Sequence, residues 1–100
     1  MPYINENNRK NLDQSIENLV SCIRSNVLFK DDEKSLWNMA GDINYCFSRV
    51  LGQLMGNVSY SKIAIITGVL ENIKQEFYRR IASPYEDKKM AENGDIKEYK

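Results

Sequence analysis

The sequence contains no histidine among its 100 residues. Histidine is the commonest general base, the commonest zinc ligand and the usual partner of a serine or cysteine nucleophile. A glycine-rich phosphate-binding loop and a metal-ligand spacing are missing as well. We therefore expect a protein that is not an enzyme and that uses no cofactor and no metal ion.

Cysteine is scarce, and charge of one sign does not dominate. Cys22 and Cys46 lie far apart and form no CxxC pair, which is typical of buried thiols in a reducing compartment. Lys plus Arg and Asp plus Glu each number 14, so no net charge steers the chain to DNA or to anionic lipid. No apolar run approaches the ~18 residues that a membrane span needs, and the first residues have no apolar signal core. These absences predict a cytoplasmic protein that binds neither DNA nor membranes.

The stretch from residue 60 to 82 carries the clearest periodic signal. Its apolar residues recur at steps of three and four, which is the pattern of an amphipathic helix. We predict a helix from Tyr60 to about Ala82, and Arg80 occupies the next position of the pattern. The apolar positions, called the Ile63–Phe77 stripe below, are Ile63, Ile66, Leu70, Ile73 and Phe77.

A second long helix is predicted from Lys34 to Met55. Its apolar residues keep the same spacing, and Gly56 is typical of a helix end because glycine adopts left-handed conformations readily. Gly41 costs about 1 kcal/mol relative to alanine inside a helix. A start as late as Asp42 is therefore the alternative to the full-length helix.

Shorter elements are predicted on either side of these helices. An N-terminal helix covers about Asn11–Ser25, with Asn11 or Asp13 as its cap, and the acidic run 31–33 suits the first turn of the next helix. Ser83 as an N-cap, with Pro84 at the first helical position, is a signal for a helix that starts anew. The remaining predictions are an extended arm over residues 1–10, a fourth helix over Pro84–Glu92 ending at Asn93-Gly94, and a tail or short edge strand over 95–100.

The two long helices are joined by about five residues, so we expect them to form an antiparallel hairpin. Together with the N-terminal helix and the short C-terminal helix, they predict an all-α chain with a single domain over residues 1–100. Apolar residues also lie outside the main stripes of both long helices. Such a second apolar face on a small chain predicts a homo-oligomer. The off-stripe residues are Trp37, Tyr45, Leu51, Ile65 and Val69.

Cations at the end of the Ile63–Phe77 stripe form a candidate anion site. Arginine binds phosphate in a bidentate fork, so we predict that Arg79, Arg80 and Lys88 hold phosphate groups. The alternative is that the arginines pair inside the protein. An unpaired guanidinium is costly to bury, so Arg80 in particular is expected to have a partner, either a protein carboxylate or an external anion. The local carboxylates are those of Glu76, Glu86 and Asp87.

Tyrosine rings accompany these cations. Tyr78 or Tyr85 beside arginine is suited to stack on a nucleobase. The alternative is that these rings lie at the rim of the core with their hydroxyls in water. Asn44, Tyr45 and Arg49 on the second long helix complete the predicted ligand-binding residues, and a solvated helix face is the alternative for that group.

Several segments of the chain resemble a family of short, mostly uncharacterised proteins encoded in tailed-phage genomes and prophages. The resemblance covers nearly all of the chain from Gly41 onward, whereas residues 26–40 depart from it. It implies a phage origin and carries over no catalytic residue. The matching segments are Met1-Pro2-Tyr3-Ile4, Gly41-Asp42-Ile43-Asn44-Tyr45 with Ser48-Arg49, Gly68-Val69-Leu70-Glu71, Glu76-Phe77-Tyr78-Arg79-Arg80, Pro84-Tyr85-Glu86-Asp87-Lys88-Lys89 and Glu92-Asn93-Gly94-Asp95.

A phage origin favours one function by analogy. Some small oligomeric phage proteins act as sponges that bind nucleotide signals of bacterial immunity without cleaving them. We therefore predict a non-catalytic protein that sequesters a cyclic nucleotide or an ADP-ribose-type molecule in the cytoplasm of a bacterial host cell. The alternative is an oligomeric protein-interaction module of phage origin with no small-molecule ligand.

Overall fold

A computed structural model describes residues 4–99 of the chain, that is, all except residues 1–3 and residue 100. Within this range the structure has helices and turns but no strand, which confirms the all-α class. The chain divides into two compact units, residues 4–62 and residues 63–99. The units are described separately, and the single domain stays a prediction. The elements are α1 (Glu6–Asn26), α2 (Glu33–Met55), α3 (Tyr60–Phe77), a π-helical turn (Tyr78–Ala82), α4 (Ser83–Asn93) and a 3-10 turn (Lys97–Tyr99).

Helix α1 begins earlier than predicted. The side chain of Asn5 caps it by accepting a hydrogen bond from the backbone N–H of Asn8 at 2.9 Å. The caps predicted at Asn11 and Asp13 are therefore wrong. Residues 6–10 contain no apolar side chain, so they gave no periodic signal even though they are helical.

The predicted extended arm is wrong over residues 6–10, which belong to α1. Residues 1–3 of that arm lie outside the described residues. Only Ile4 and Asn5 remain as described residues ahead of the helix, and Asn5 adopts the extended conformation of an N-cap.

Helix α2 runs without interruption over its full predicted length. Asp32 caps it by accepting a hydrogen bond from the N–H of Ser35 at 2.7 Å. Gly41 lies inside the helix, so the alternative start at Asp42 is wrong. The Asp32 cap stabilises the helix by about as much as one interior glycine destabilises it. Gly56 ends the helix with φ +65°, as predicted.

The connection from α1 to α2 is a Schellman motif with leucine where glycine is usual. The N–H of Phe29 donates to the carbonyl of Arg24 at 3.0 Å, and the N–H of Leu28 donates to the carbonyl of Ser25 at 3.5 Å. Leu28 has φ +53°, which costs a residue with a Cβ about 1–2 kcal/mol. The guanidinium of Arg24 lies 4.7 Å from the centre of the Phe29 ring and provides the side-chain contact of the motif.

Two polar contacts join the parts of unit 4–62. The amide of Asn26 at the end of α1 donates to a carboxylate oxygen of Asp42 on α2 at 3.0 Å. The hydroxyl of Ser35 accepts a hydrogen bond from the N–H of Lys30 at 3.1 Å. These contacts fix the connection against the first turns of α2.

Apolar packing in unit 4–62 is limited. Among residues 4–99, Met39 is the one buried apolar side chain, and Ser35 is the one buried polar residue. The apolar side chains that recur at helical spacing on α1 and α2 remain about half exposed, with Ile16 at 54% and Phe47 at 53%. The faces that should form a core are therefore open to solvent.

Helix α3 begins where it was predicted to begin. The hydroxyl of Ser59 accepts a hydrogen bond from the N–H of Lys62 at 3.2 Å, which makes Ser59 its cap. The ammonium group of Lys62 donates to the carbonyl of Asn57 at 2.9 Å. These two bonds fix the short connection that follows Gly56.

In unit 63–99, helix α3 continues through the π-helical turn into α4 without a break. The N–H of Ser83 donates to the carbonyl of Tyr78, five residues earlier. In an α-helix the Pro84 ring would clash with the carbonyl four residues before it, and the π-turn changes that register. The predicted restart with Ser83 as N-cap is therefore wrong, and Ala82, in helical conformation, occupies the cap position.

The end of α4 agrees with the prediction to within a residue. Gly94 has φ +84°, and its N–H donates to the carbonyl of Met90 at 2.8 Å. The segment Lys97–Tyr99 forms a 3-10 turn, so the short strand considered for 95–100 is wrong over the described residues. Lys100 lies outside them.

Candidate functional site

Both arginines at the end of the Ile63–Phe77 stripe bind the same carboxylate. Nη2 of Arg79 donates to Oε1 and Oε2 of Glu76 at 2.9 and 3.1 Å. Nε of Arg80 donates to Oε2 of Glu76 at 3.1 Å. Residues three and four positions after Glu76 lie on the same helix face, which explains the shared partner. The internal pairing considered for the arginines is therefore present, and their binding to an external anion stays a prediction.

This Glu76–Arg79–Arg80 cluster lies at the surface. The side chains of Arg79 and Arg80 are 66% and 60% exposed, and that of Glu76 is 29% exposed. Arg80 is therefore not a buried charge, although it continues the apolar pattern of the stripe. Ion pairs with this exposure contribute about 0–1 kcal/mol each. The cluster brings two guanidinium groups to one carboxylate.

Tyr78 is tied to α4 by its hydroxyl. The O–H donates to Oε1 of Glu86 at 2.9 Å across the π-helical turn. This hydrogen bond raises the pKa of Tyr78, and the negative charge of the Glu86 carboxylate adds to the effect because a phenolate there would be repelled. The Tyr78 ring is exposed, so it keeps a surface on which a flat group can stack.

The predicted residues on α4 lie on its exposed surface. The ammonium group of Lys89 lies 5.6 Å from the centre of the Tyr85 ring and also binds Glu92 at 3.3 Å. Lys89 is therefore the cation beside this ring, and a phosphate-binding role for Lys88 stays a prediction. Lys88 is exposed on the same helix.

A shallow hollow of about 510 Å³ lies beside the cluster within unit 63–99. Lys74 and Arg79 contribute positive charge to its lining, and Glu71 and Glu76 contribute negative charge. The charges cancel, so the hollow is not a strongly cationic pocket. Tyr78 also lines it and supplies an aromatic surface.

The other predicted ligand-binding residues belong to unit 4–62. The Arg49 guanidinium lies 5.8 Å from the centre of the Tyr45 ring on the same helix. The side-chain oxygen of Asn44 accepts a weak hydrogen bond from the Ser48 hydroxyl at 3.4 Å. These contacts are local to α2, and a ligand-binding role for the three predicted residues stays a prediction.

A groove between α1 and α2, called the α1/α2 groove below, was not predicted from the sequence. It has a volume of about 590 Å³ and lies entirely within unit 4–62. Apolar side chains of both helices form its walls, and Asp31 and Asp32 line it near the start of α2. The apolar spacing of each helix marks these residues, but spacing alone does not indicate which helix faces meet. The apolar lining includes Ile16, Val20, Leu36, Met39, Ile43 and Phe47.

Metal-binding groups of side chains and membrane-spanning helices are both absent from residues 4–99. No group of three or more Cys, Asp or Glu side chains in this range is arranged to hold a metal ion. None of the described helices combines the length and apolar character that crossing a membrane requires.

Comparison with known proteins gives a family but no described relative. No curated protein matches the chain. No solved structure matches it either. A family with the description "Domain of unknown function (DUF6899)" matches residues 1–96. Because this match spans almost the whole sequence, the chain belongs to the DUF6899 family.

Proposed function

We propose that this protein is a non-catalytic, self-associating helical interaction module of phage origin that acts in the cytoplasm of a bacterial host cell. The observation that carries the proposal is the exposure of the apolar side chains on α1, α2 and α3. Large exposed apolar surfaces with polar rims are typical of protein interaction sites. Examples on α1, α2 and α3 are Ile16 at 54%, Leu36 at 58% and Phe77 at 64% exposure.

The size of the exposed stripe supports an assembly that uses more than one face of each chain. Full burial of an apolar side chain contributes about 1.5–3 kcal/mol, so a half-exposed residue contributes about 1 kcal/mol when it is covered. Four such residues of the Ile63–Phe77 stripe would contribute about 4 kcal/mol. Association itself costs about 4–15 kcal/mol, so two such stripes packed together, which contribute about 8 kcal/mol, only reach the middle of that range, and further apolar area is needed.

The antiparallel pairing of α2 with α3 is part of this proposal. Both helices have apolar residues at steps of three and four, and the connection between them is short. Such a pair can form within one chain or between two copies. In either case it covers the Ile63–Phe77 stripe, which no helix contact among the described residues of unit 63–99 covers.

Mass measurement tests self-association directly. At tens of micromolar, sedimentation velocity should give a species of at least twice the chain mass of 11.6 kDa. Leu70→Glu places a charge in the Ile63–Phe77 stripe and should reduce the assembly. Val58→Glu is a matched control, because Val58 is 70% exposed and lies in the connection between α2 and α3, outside the helices. A wild-type protein that sediments as a monomer at these concentrations contradicts the proposal.

The second candidate function is sequestration of a nucleotide-derived immune signal, such as a cyclic nucleotide or an ADP-ribose derivative. The hollow beside Arg79 favours it, since Lys74 and Tyr78 line the same surface. The ring would stack on a base, and the cations would bind phosphate. The Glu76 carboxylate weakens this candidate, because a ligand phosphate must compete with it for the arginines.

Calorimetry with a panel of cyclic nucleotides and ADP-ribose derivatives tests the second candidate. Binding should also raise the stability by RT ln(1 + [L]/Kd), about 2.7 kcal/mol at a hundredfold excess over Kd. Recovery of intact ligand after denaturation distinguishes sequestration from hydrolysis. If no member of the panel binds or stabilises the protein, the interaction module remains as the function.

A further inference from the structure

We propose that the α1/α2 groove of one copy binds the Ile63–Phe77 stripe of a second copy, and that the groove of the second copy binds the stripe of the first. The inference rests on the proposed self-association and names the two surfaces that meet. It adds a directional contact, in which a groove receives a helix, to an otherwise unspecified assembly.

The spacing of apolar residues on the two surfaces matches. On α2, the groove residues Leu36, Met39, Ile43 and Phe47 span eleven positions, or about 17 Å of helix. On α3, the stripe residues Ile66, Leu70, Ile73 and Phe77 also span eleven positions, which is an equal length of helix. A helix laid along the groove can therefore place one apolar side chain opposite each turn of α2.

The α1/α2 groove is open to solvent along the side where a third helix could pack. Its side chains come from two helices, and those at Ile16, Val20, Leu36 and Phe47 remain 39–58% exposed. A half-exposed apolar wall on each side is suited to a helix that inserts its own apolar face between them. Met39 at its floor is already buried, so the base of the groove is formed before a partner arrives.

Charge complementarity selects the direction of the docked helix. Asp31 and Asp32 line the groove near the start of α2, and Arg24 is the cation of its lining, so the charged residues of the groove sum to one negative charge. If the incoming α3 runs antiparallel to α2, its Phe77 end meets Leu36 and brings Arg80 to the acidic end. The parallel direction would carry Arg80 to the Phe47 end, where no carboxylate lines the groove.

Made twice, this contact covers the area of a stable interface, and made once it covers the area of a weak one. Eight apolar side chains of the two surfaces are about half exposed in each copy, and each has about 100 Å² of apolar area when fully exposed. Covering them in both copies removes about 800 Å² of apolar area, or about 1,300 Å² in total when apolar atoms form about 60% of an interface. This is within the range of stable interfaces, about 1,200–2,000 Å². Stripe against stripe alone would bury about half as much.

A mixing experiment with the full chain tests the proposal. Val20→Glu places a charge in the groove, Leu70→Glu places one in the stripe, and Val58→Glu is the control outside both. Sedimentation velocity should show that each of the first two variants raises the dissociation constant at least about a hundredfold, while the control leaves it unchanged. Circular dichroism of each variant checks that the helices are retained.

An equimolar mixture of the Val20→Glu and Leu70→Glu chains should associate more tightly than either variant alone, because one intact groove then meets one intact stripe. Full association of Val20→Glu on its own would mean that stripes pack against each other, and the proposal would be wrong. Mixing without any recovery would mean that each groove takes the stripe of its own chain, which also overturns it. A monomeric wild type would instead contradict the proposed self-association itself.

Discussion

Substitution of Arg80 by methionine tests what the Glu76–Arg79–Arg80 cluster is for. Methionine keeps an apolar stem of similar length and removes the charge. Because the Arg80 side chain is 60% exposed, its ion pair with Glu76 is screened by water and is a helix pair of the i,i+4 type. Pairs of this type contribute about 0.3–0.5 kcal/mol. The substitution also leaves Glu76 bound to Arg79 at 2.9 Å.

We therefore expect Arg80→Met to lower the free energy of unfolding by less than about 1 kcal/mol, or to leave it unchanged. For a domain of this size, 1 kcal/mol corresponds to a change in Tm of about 4–8 °C, so the shift should be below that range. Thermal unfolding followed by circular dichroism measures it. Lys97→Met is a matched control, since it removes an exposed cation of the same unit that is not among the predicted ligand-binding residues.

A loss of about 3–5 kcal/mol in the variant would contradict this reasoning, because a loss of that size is typical of a broken buried pair. The same variant also tests the nucleotide candidate. If Arg80 binds a ligand phosphate, calorimetry should show a loss of binding while Tm is retained. A variant that binds every ligand of the wild type removes Arg80 from the site.

Substitutions at three further positions have expected outcomes. Leu28→Gly should raise the free energy of unfolding by about 0.5–1 kcal/mol, since glycine relieves the left-handed strain and Leu28 is 84% exposed; a lower Tm would contradict this. Glu86→Gln should lower the pKa of Tyr78 toward its ordinary value of 10.0, measured by ultraviolet titration, and an unchanged pKa would mean that Glu86 is not its cause. Because folding raises this pKa, the Tyr78 bond stabilises the protein below the unfolded pKa, and its contribution is lost as the pH rises through the folded pKa. Asp32→Ala should cost about 0.5–2 kcal/mol in urea unfolding through the lost cap on Ser35, whereas Asp32→Asn should keep most of the stability.

Helix ends with a strong local signal could be predicted from the sequence. Gly56 and Gly94 both adopt positive φ where the helices end, and the acidic run before α2 supplies its cap. The start of α1 was missed because Asn5 precedes five residues without an apolar side chain. Periodicity therefore located the parts of helices that have an apolar face and missed the polar first turn.

The π-helical turn could not be predicted because its local signal has two outcomes. Ser83 and Pro84 favour a new helix start, and they are equally compatible with a continuous helix that changes its hydrogen-bond register. In the structure the register change is made, and it brings the hydroxyl of Tyr78 to Glu86. Glu86, one candidate partner of the arginines, is thereby a partner of tyrosine.

The candidate site was predictable at the level of single helix faces. Glu76 could be named as a possible partner of the two arginines because it lies three and four positions before them. In the structure both Arg79 and Arg80 bind Glu76. The α1/α2 groove was not predictable, because it depends on which faces of two helices meet across a connection with a strained residue, Leu28. Periodicity identifies the apolar residues of each helix but not their partners in space.

The mass of the protein in solution tests the central claim most directly. Sedimentation velocity from about 1 to 100 micromolar covers the dissociation constants expected for an interface of the size proposed. The exposed apolar stripes predict a concentration-dependent shift from the chain mass of 11.6 kDa to a dimer or a larger symmetric assembly. A single species at the monomer mass across the whole range would contradict it.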